Sequence, residues 1–64
     1  MNNDILFNEL FDEVCDLYNL AWWEVFDSEK MDEVERLIAE QFGVVDAWEI
    51  EGFAGWYNEM AMDL

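Results

Sequence analysis

Glu9, Asp12, Glu13 and Asp16 recur three or four residues apart, and the first basic residue of the chain, Lys30, comes well after them. On a helix that spacing holds their Cβ atoms roughly 5–6 Å from one another, the order of separation of phosphates along a nucleic-acid strand. The chemistry open to such an array is recognition. Lysine and arginine meet a carboxylate in the same charge-assisted, often bidentate geometry they use for a phosphate. Asp32, Glu33, Glu35 and Glu40 repeat the pattern around Arg36, and Asp46, Glu49, Glu51, Glu59 and Asp63 extend it toward the C-terminal end. Like charges so placed repel by about 0.2–0.5 kcal/mol per pair. A small domain carries that burden only if the field serves binding, steering or solubility.

Catalytic and metal chemistry find little to work with. The chain has no histidine and a single cysteine, Cys15, between Val14 and Asp16, so no Cys-His or Ser-His arrangement is available. Acidic neighbours disfavour a thiolate, which makes Cys15 a packing residue. Paired carboxylates can serve glycoside hydrolysis, but that reaction needs a substrate cleft that a chain this short can hardly enclose. A calcium loop of twelve residues with alternating acids and a central glycine is absent, and Asp27-Ser28-Glu29 with Asp32 lacks its spacing. The expectation is a protein that is not an enzyme and has no cofactor and no metal.

With 17 Asp and Glu against Lys30 and Arg36, the formal net charge is −15, well beyond the magnitude of about 2–8 that keeps a small domain soluble. That sign excludes direct binding to nucleic acid or to an anionic membrane, both of which need clustered bases. A basic partner is what remains. Acids interrupt every apolar run before it can span a bilayer, and Met1-Asn2-Asn3-Asp4 lacks the positive start of a secretory signal, so the expected location is the cytoplasm. A hydrophobic content of 55% is far above that of a disordered acidic tail, which points to a packed fold.

The array needs a scaffold, and the periodicity supplies helices. Phe7, Phe11, Val14, Tyr18, Ala21 and Val25 alternate at four and three between Asp4 and about Phe26, which sets them on one helical face, widened by Leu6, Leu10 and Leu17. Asn2 or Asn3 can cap that start, and Asn19 marks a kink or an end. Asp27-Ser28 is a capping pair placed before a second helical stretch, Met31, Val34, Leu37, Ile38 and Phe42, which stops at Gly43. Asp46 and Glu49 have capping-box spacing for a third helix carrying Trp48, Phe53, Trp56, Tyr57 and Met60. Gly52 and Gly55 weaken that helix, so Val44 to Ile50 fits a short strand followed by an irregular turn as well. The expected fold is one mainly α domain over residues 1–64, a compact bundle of about three helices with a short strand or irregular segment near 44–52.

Eleven residues are aromatic, more than a monomeric core of this size hides with ease. Trp22 and Trp23 project about 100° apart on a helix, so one of them lies near the surface. A compact core that relies on large side chains accounts for part of the surplus. Trp22, Trp23, Trp48, Phe53 and Trp56 are otherwise candidates for a homodimer interface or for anchoring a target.

Small size, extreme acidity and abundant aromatics together resemble the DNA-mimic inhibitors that phages and mobile elements direct against restriction enzymes, CRISPR nucleases, glycosylases and nucleoid proteins. Tyr18-Asn19 followed by Trp23, and Ala47-Trp48-Glu49-Ile50-Glu51-Gly52-Phe53, resemble ArdA-type antirestriction proteins over about half the chain. The chain is much shorter than that family, and a helix over residues 4–26 departs from the family's strand-rich start. The resemblance implies an anti-defence inhibitor, phage- or mobile-element-encoded, working in a host bacterial cytoplasm on a nuclease, a restriction or CRISPR component, or another DNA-processing protein. The contacts expected from spacing and exposure are Glu9, Asp12, Glu13, Asp16, Asp32, Glu33, Glu35 and Glu40. Two other readings fit the same composition: an acidic immunity or antitoxin-like protein that neutralises a basic toxin, and an adaptor subunit of a larger assembly.

Overall fold

The computed structural model describes residues 3–64. The chain forms α1 (Asp4–Tyr18), α2 (Trp22–Phe26), α3 (Met31–Phe42), a 3-10 turn (Ala47–Glu49) and α4 (Phe53–Met62), with no strand among the described residues. It is a mainly α, compact bundle. The Cα radius of gyration, 10.9 Å, matches the roughly 11 Å expected of a folded chain of this length.

α1 and α3 end by the same device. Asn19 and Gly43 take the left-handed conformation, at φ 54° and 68° respectively. Their N–H groups reach back to Asp16 and Glu40, while Leu20 and Val44, one residue on, donate to Cys15 and Ala39 at 3.0 Å. This paired pattern satisfies carbonyls that a helix end leaves free. Leu20 and Val44 then pack against the core, supplying the apolar contact that accompanies such a stop. The periodicity that suggested a helix running on to Phe26 is therefore split at Asn19, where asparagine tolerates a left-handed backbone. α2 restarts from extended Ala21, whose N–H is accepted by the Glu24 carboxylate at 3.0 Å.

Three expected caps work differently. Asn3 occupies the N-cap of α1 without a side-chain cap bond, and its amide donates instead to the Glu51 carbonyl at 3.3 Å; Asn2 lies outside the described residues. Ser28 folds a turn rather than capping α3 directly, donating to the Val25 carbonyl and accepting from the Lys30 N–H. Asp46 accepts from the Trp48 N–H at 3.0 Å, yet the segment it opens is the short 3-10 turn. α4 begins only at Phe53, after Gly52 at φ 91°. A residue with a Cβ would be strained at that angle, which is why the two elements do not merge.

α1 packs against α2, α3 and α4, and the 3-10 turn joins α3 to α4. Phe7 lies at the centre, 5.6 Å by ring centroid from each of Phe42, Phe53 and Trp56. Phe11 continues the cluster to Phe26 and Trp56. Such pairs add about 0.5–1.5 kcal/mol each beyond the area they bury. Leu10, Val14, Val25, Met31, Val34 and Ile38, with Cys15, Ala39, Ala47 and Ile50, complete the core. The buried Trp56 indole donates to Asn8 at 2.8 Å, so the ring enters the interior without orphaning its N–H.

Candidate functional site

Glu9, Asp12, Glu13 and Asp16 are all exposed. At about 100° per residue they span roughly 100° of arc on α1, diametrically opposite the face that buries Phe7, Leu10, Phe11 and Val14. The stripe is thus backed by the best-packed part of the molecule. Leu6 and Leu17, expected to widen the core stripe, instead lie exposed, within roughly 40° of Glu13 on the same helix. They edge the acidic face with apolar surface, a feature that spacing alone did not distinguish from core.

The four acids of α3 are divided. Glu33 turns toward α1, where its carboxylate accepts a short hydrogen bond from the Tyr18 phenol. Glu35 lies on the opposite flank and accepts from the Trp48 indole N–H at 3.0 Å. Asp32 and Glu40 are exposed, one turn before and one turn after Arg36. The eight expected contacts therefore separate into one continuous stripe on α1 and a broken set on α3, two of whose members hold elements of the fold together.

Both bases lie on the α3 side. Lys30 places its ammonium 5.0 Å from the Tyr18 ring centroid, a cation–π distance. Arg36 lines a groove of about 210 Å³ between α1 and α3 with Val14, Leu17, Glu33, Leu37 and Glu40. Neither base is within ion-pairing distance of a carboxylate among the described residues. Hydrogen bonding to Glu33, and then desolvation, raise the Tyr18 pKa above that of a free phenol. Burial, reinforced by Asp12 and Asp16, pushes the Cys15 thiol up, so the only nucleophilic side chain of its kind is held in its unreactive protonated form.

The expected anchors divide too. Phe53 and Trp56 are core rings, at 0% and 3% exposure, and cannot reach a partner; they fill the space between α1 and α4. Trp23 (57% exposed) and Trp48 (45% exposed) are at the surface, and Trp22 is half-buried, edge-on to both Trp23 and Phe26. Trp48 is held in place on three sides, by Glu35, by Phe53 at 5.0 Å and by Tyr57 at 4.8 Å.

No cluster of three or more metal-ligating side chains that could hold an ion occurs among the described residues, nor is any helix long and apolar enough to cross a membrane. No family model, curated protein or solved structure matches the chain.

Proposed function

We propose that this protein binds the basic nucleic-acid-binding site of another protein, a bacterial defence or DNA-processing protein, and inhibits it by presenting carboxylates where that site expects phosphates. The observation that carries the reading is the outer face of α1: four exposed acids on one arc of a well-packed helix, with both bases of the chain on α3's side. Such a stripe meets a row of lysines and arginines in phosphate-like geometry, and the net charge steers the two proteins together. Counterions released from the acidic face and from the partner's basic site give the interaction its salt dependence.

The test is competition. A partner captured from bacterial lysate at about 50 mM salt, near the low end of the range over which phosphate contacts weaken steeply, is challenged with duplex and with single-stranded nucleic acid. A mimic is displaced by one of them, and its affinity falls steeply toward 200 mM salt. Binding that neither nucleic acid disturbs would replace this reading with neutralisation of a basic toxin through shape.

A further inference from the structure

We infer that the groove between α1, α2 and α4 receives an arginine side chain of the basic partner, and that this one contact fixes the register of the acidic stripe. The inference deepens the proposed function and rests on it. The groove has a volume of about 400 Å³ and is lined by Asn8, Phe11, Asp12, Trp22, Met60 and Asp63. Its chemistry is that of an arginine seat. Trp22 and Met60, half-buried, offer apolar surface over a floor of buried Phe11 to a three-carbon stem, which buries along such surface readily. Asp12 and Asp63 offer carboxylates to the guanidinium, whose planar, weakly hydrated fork both stacks on aromatic faces and pairs with carboxylates.

Charge decides the occupant. A second copy of this chain would bring its own −15 against two further acids, and an acidic or uncharged apolar segment would leave Asp12 and Asp63 partly desolvated without compensation. The α1–α3 groove is the weaker competitor because it contains Arg36, which repels an incoming cation. Asp12 belongs to both features, one member of the exposed stripe and one wall of the groove. An arginine seated beside it therefore lies in line with whatever bases meet Glu9, Glu13 and Asp16. Trp22 is the candidate anchor residue that this assigns a task, with exposed Trp23 packed edge-on behind it at 6.0 Å.

The probe is an acetylated, amidated tripeptide of leucine, arginine and leucine, with citrulline replacing arginine in the control. Amide and indole shifts of the isotopically labelled protein are followed at low salt. The largest shifts are expected at Asp12, Trp22, Met60 and Asp63, with little response to the citrulline peptide. The Asp63→Lys variant, altered at an exposed position beyond the end of α4, should weaken the peptide at least fivefold while keeping the circular dichroism of the parent. Shifts confined to Glu9, Glu13 and Asp16, equal binding of the citrulline peptide, or indifference to Asp63→Lys would overturn the seat and leave the stripe intact. Failure of nucleic acid to compete for the captured partner would instead remove the mimicry, whatever the peptide does.

Discussion

α1 and α3 carry carboxylates at the same density, one residue in three, and the two helices lie against each other, yet their acids do different things. On α3 the acids are spread around the cylinder. Glu33 fastens Tyr18, Glu35 fastens Trp48, and Asp32 and Glu40 flank Arg36. On α1 four acids crowd one arc away from the core, and none of them is ion-paired with a base among the described residues. Charge density is therefore a poor guide to which acids face a partner. Angular position, and what the neighbouring elements ask of each carboxylate, is the better one.

The comparison breaks first if the inner face of α1 is not what holds its outer face in place. Phe7→Ala removes the ring at the centre of the aromatic cluster, and a buried phenylalanine truncated in this way costs about 3–5 kcal/mol. A chain this small has little more stability than that to lose. The variant should be largely unfolded at room temperature by circular dichroism and should show no cooperative urea transition. A midpoint within experimental error of the parent would mean that the stripe has no rigid backing.

Next in size is the contrast between charge reversals. Asp12→Lys with Glu13→Lys converts four repulsive pairs at spacings of three and four, those with Glu9 and with Asp16, into attractive ones. Stability should rise by about 2–4 kcal/mol, since each pair exchanges a repulsion for an attraction of similar size, while affinity for the basic partner falls at least tenfold. Asp32→Lys with Glu40→Lys does the reverse. It surrounds Arg36 with like charge and removes an acid from the first turn of α3, so stability should drop by about 0.5–1 kcal/mol and binding should suffer less. Thermal melts and titrations on the parent and the two double variants decide it. Equal loss of affinity from both pairs would erase the distinction between the helices.

Trp48→Phe sharpens the α3 side. It keeps a ring against Phe53 and Tyr57 but deletes the donor to Glu35, and the loss should be about 0.5–1.5 kcal/mol. Glu35→Gln keeps an acceptor for the indole and should lose less. If the two variants have the parent's urea midpoint, the Glu35 contact holds nothing.

Much of this arrangement was legible in the residues. The helical periods found the buried positions Phe7, Phe11, Val14, Val25, Met31, Val34 and Ile38, and Gly43 marked a real stop. Other features depended on tertiary context. Leu17 continues the α1 period, yet no element covers it, because the chain turns away at Asn19 one residue after the helix ends. Asp46 and Glu49 have the spacing of a helix start, but extended Ile50 and left-handed Gly52 interpose before α4. Phe53 and Trp56 are as large and apolar as Trp23 and Trp48, so composition does not separate core rings from surface rings. The acids of α1 were readable as a stripe because one helix fixes their geometry. Those of α3 were not, because Tyr18 and Trp48 come to them from elements distant in sequence.

The smallest effect concerns the seam where the two helices meet. The Tyr18 phenol donates to Glu33, and its folded pKa lies above the ordinary value of about 10 because that bond exists only while the phenol keeps its proton. The proton is thus held more tightly in the folded chain than in the unfolded one. Linkage then assigns the bond a contribution to stability that is complete below the unfolded pKa and is lost as pH rises through the higher folded value. Tyr18 is at the surface, where solvent screens the interaction, so the shift in urea midpoint should be small. Tyr18→Phe should lower the midpoint slightly at neutral pH and flatten its decline above about pH 10, where ionisation of the unfolded phenol begins to erode the parent's stabilisation. A variant whose midpoint falls as steeply as the parent's in that range would show that Glu33 is as free as the acids of α1, and the two helices would then differ only in where Arg36 stands.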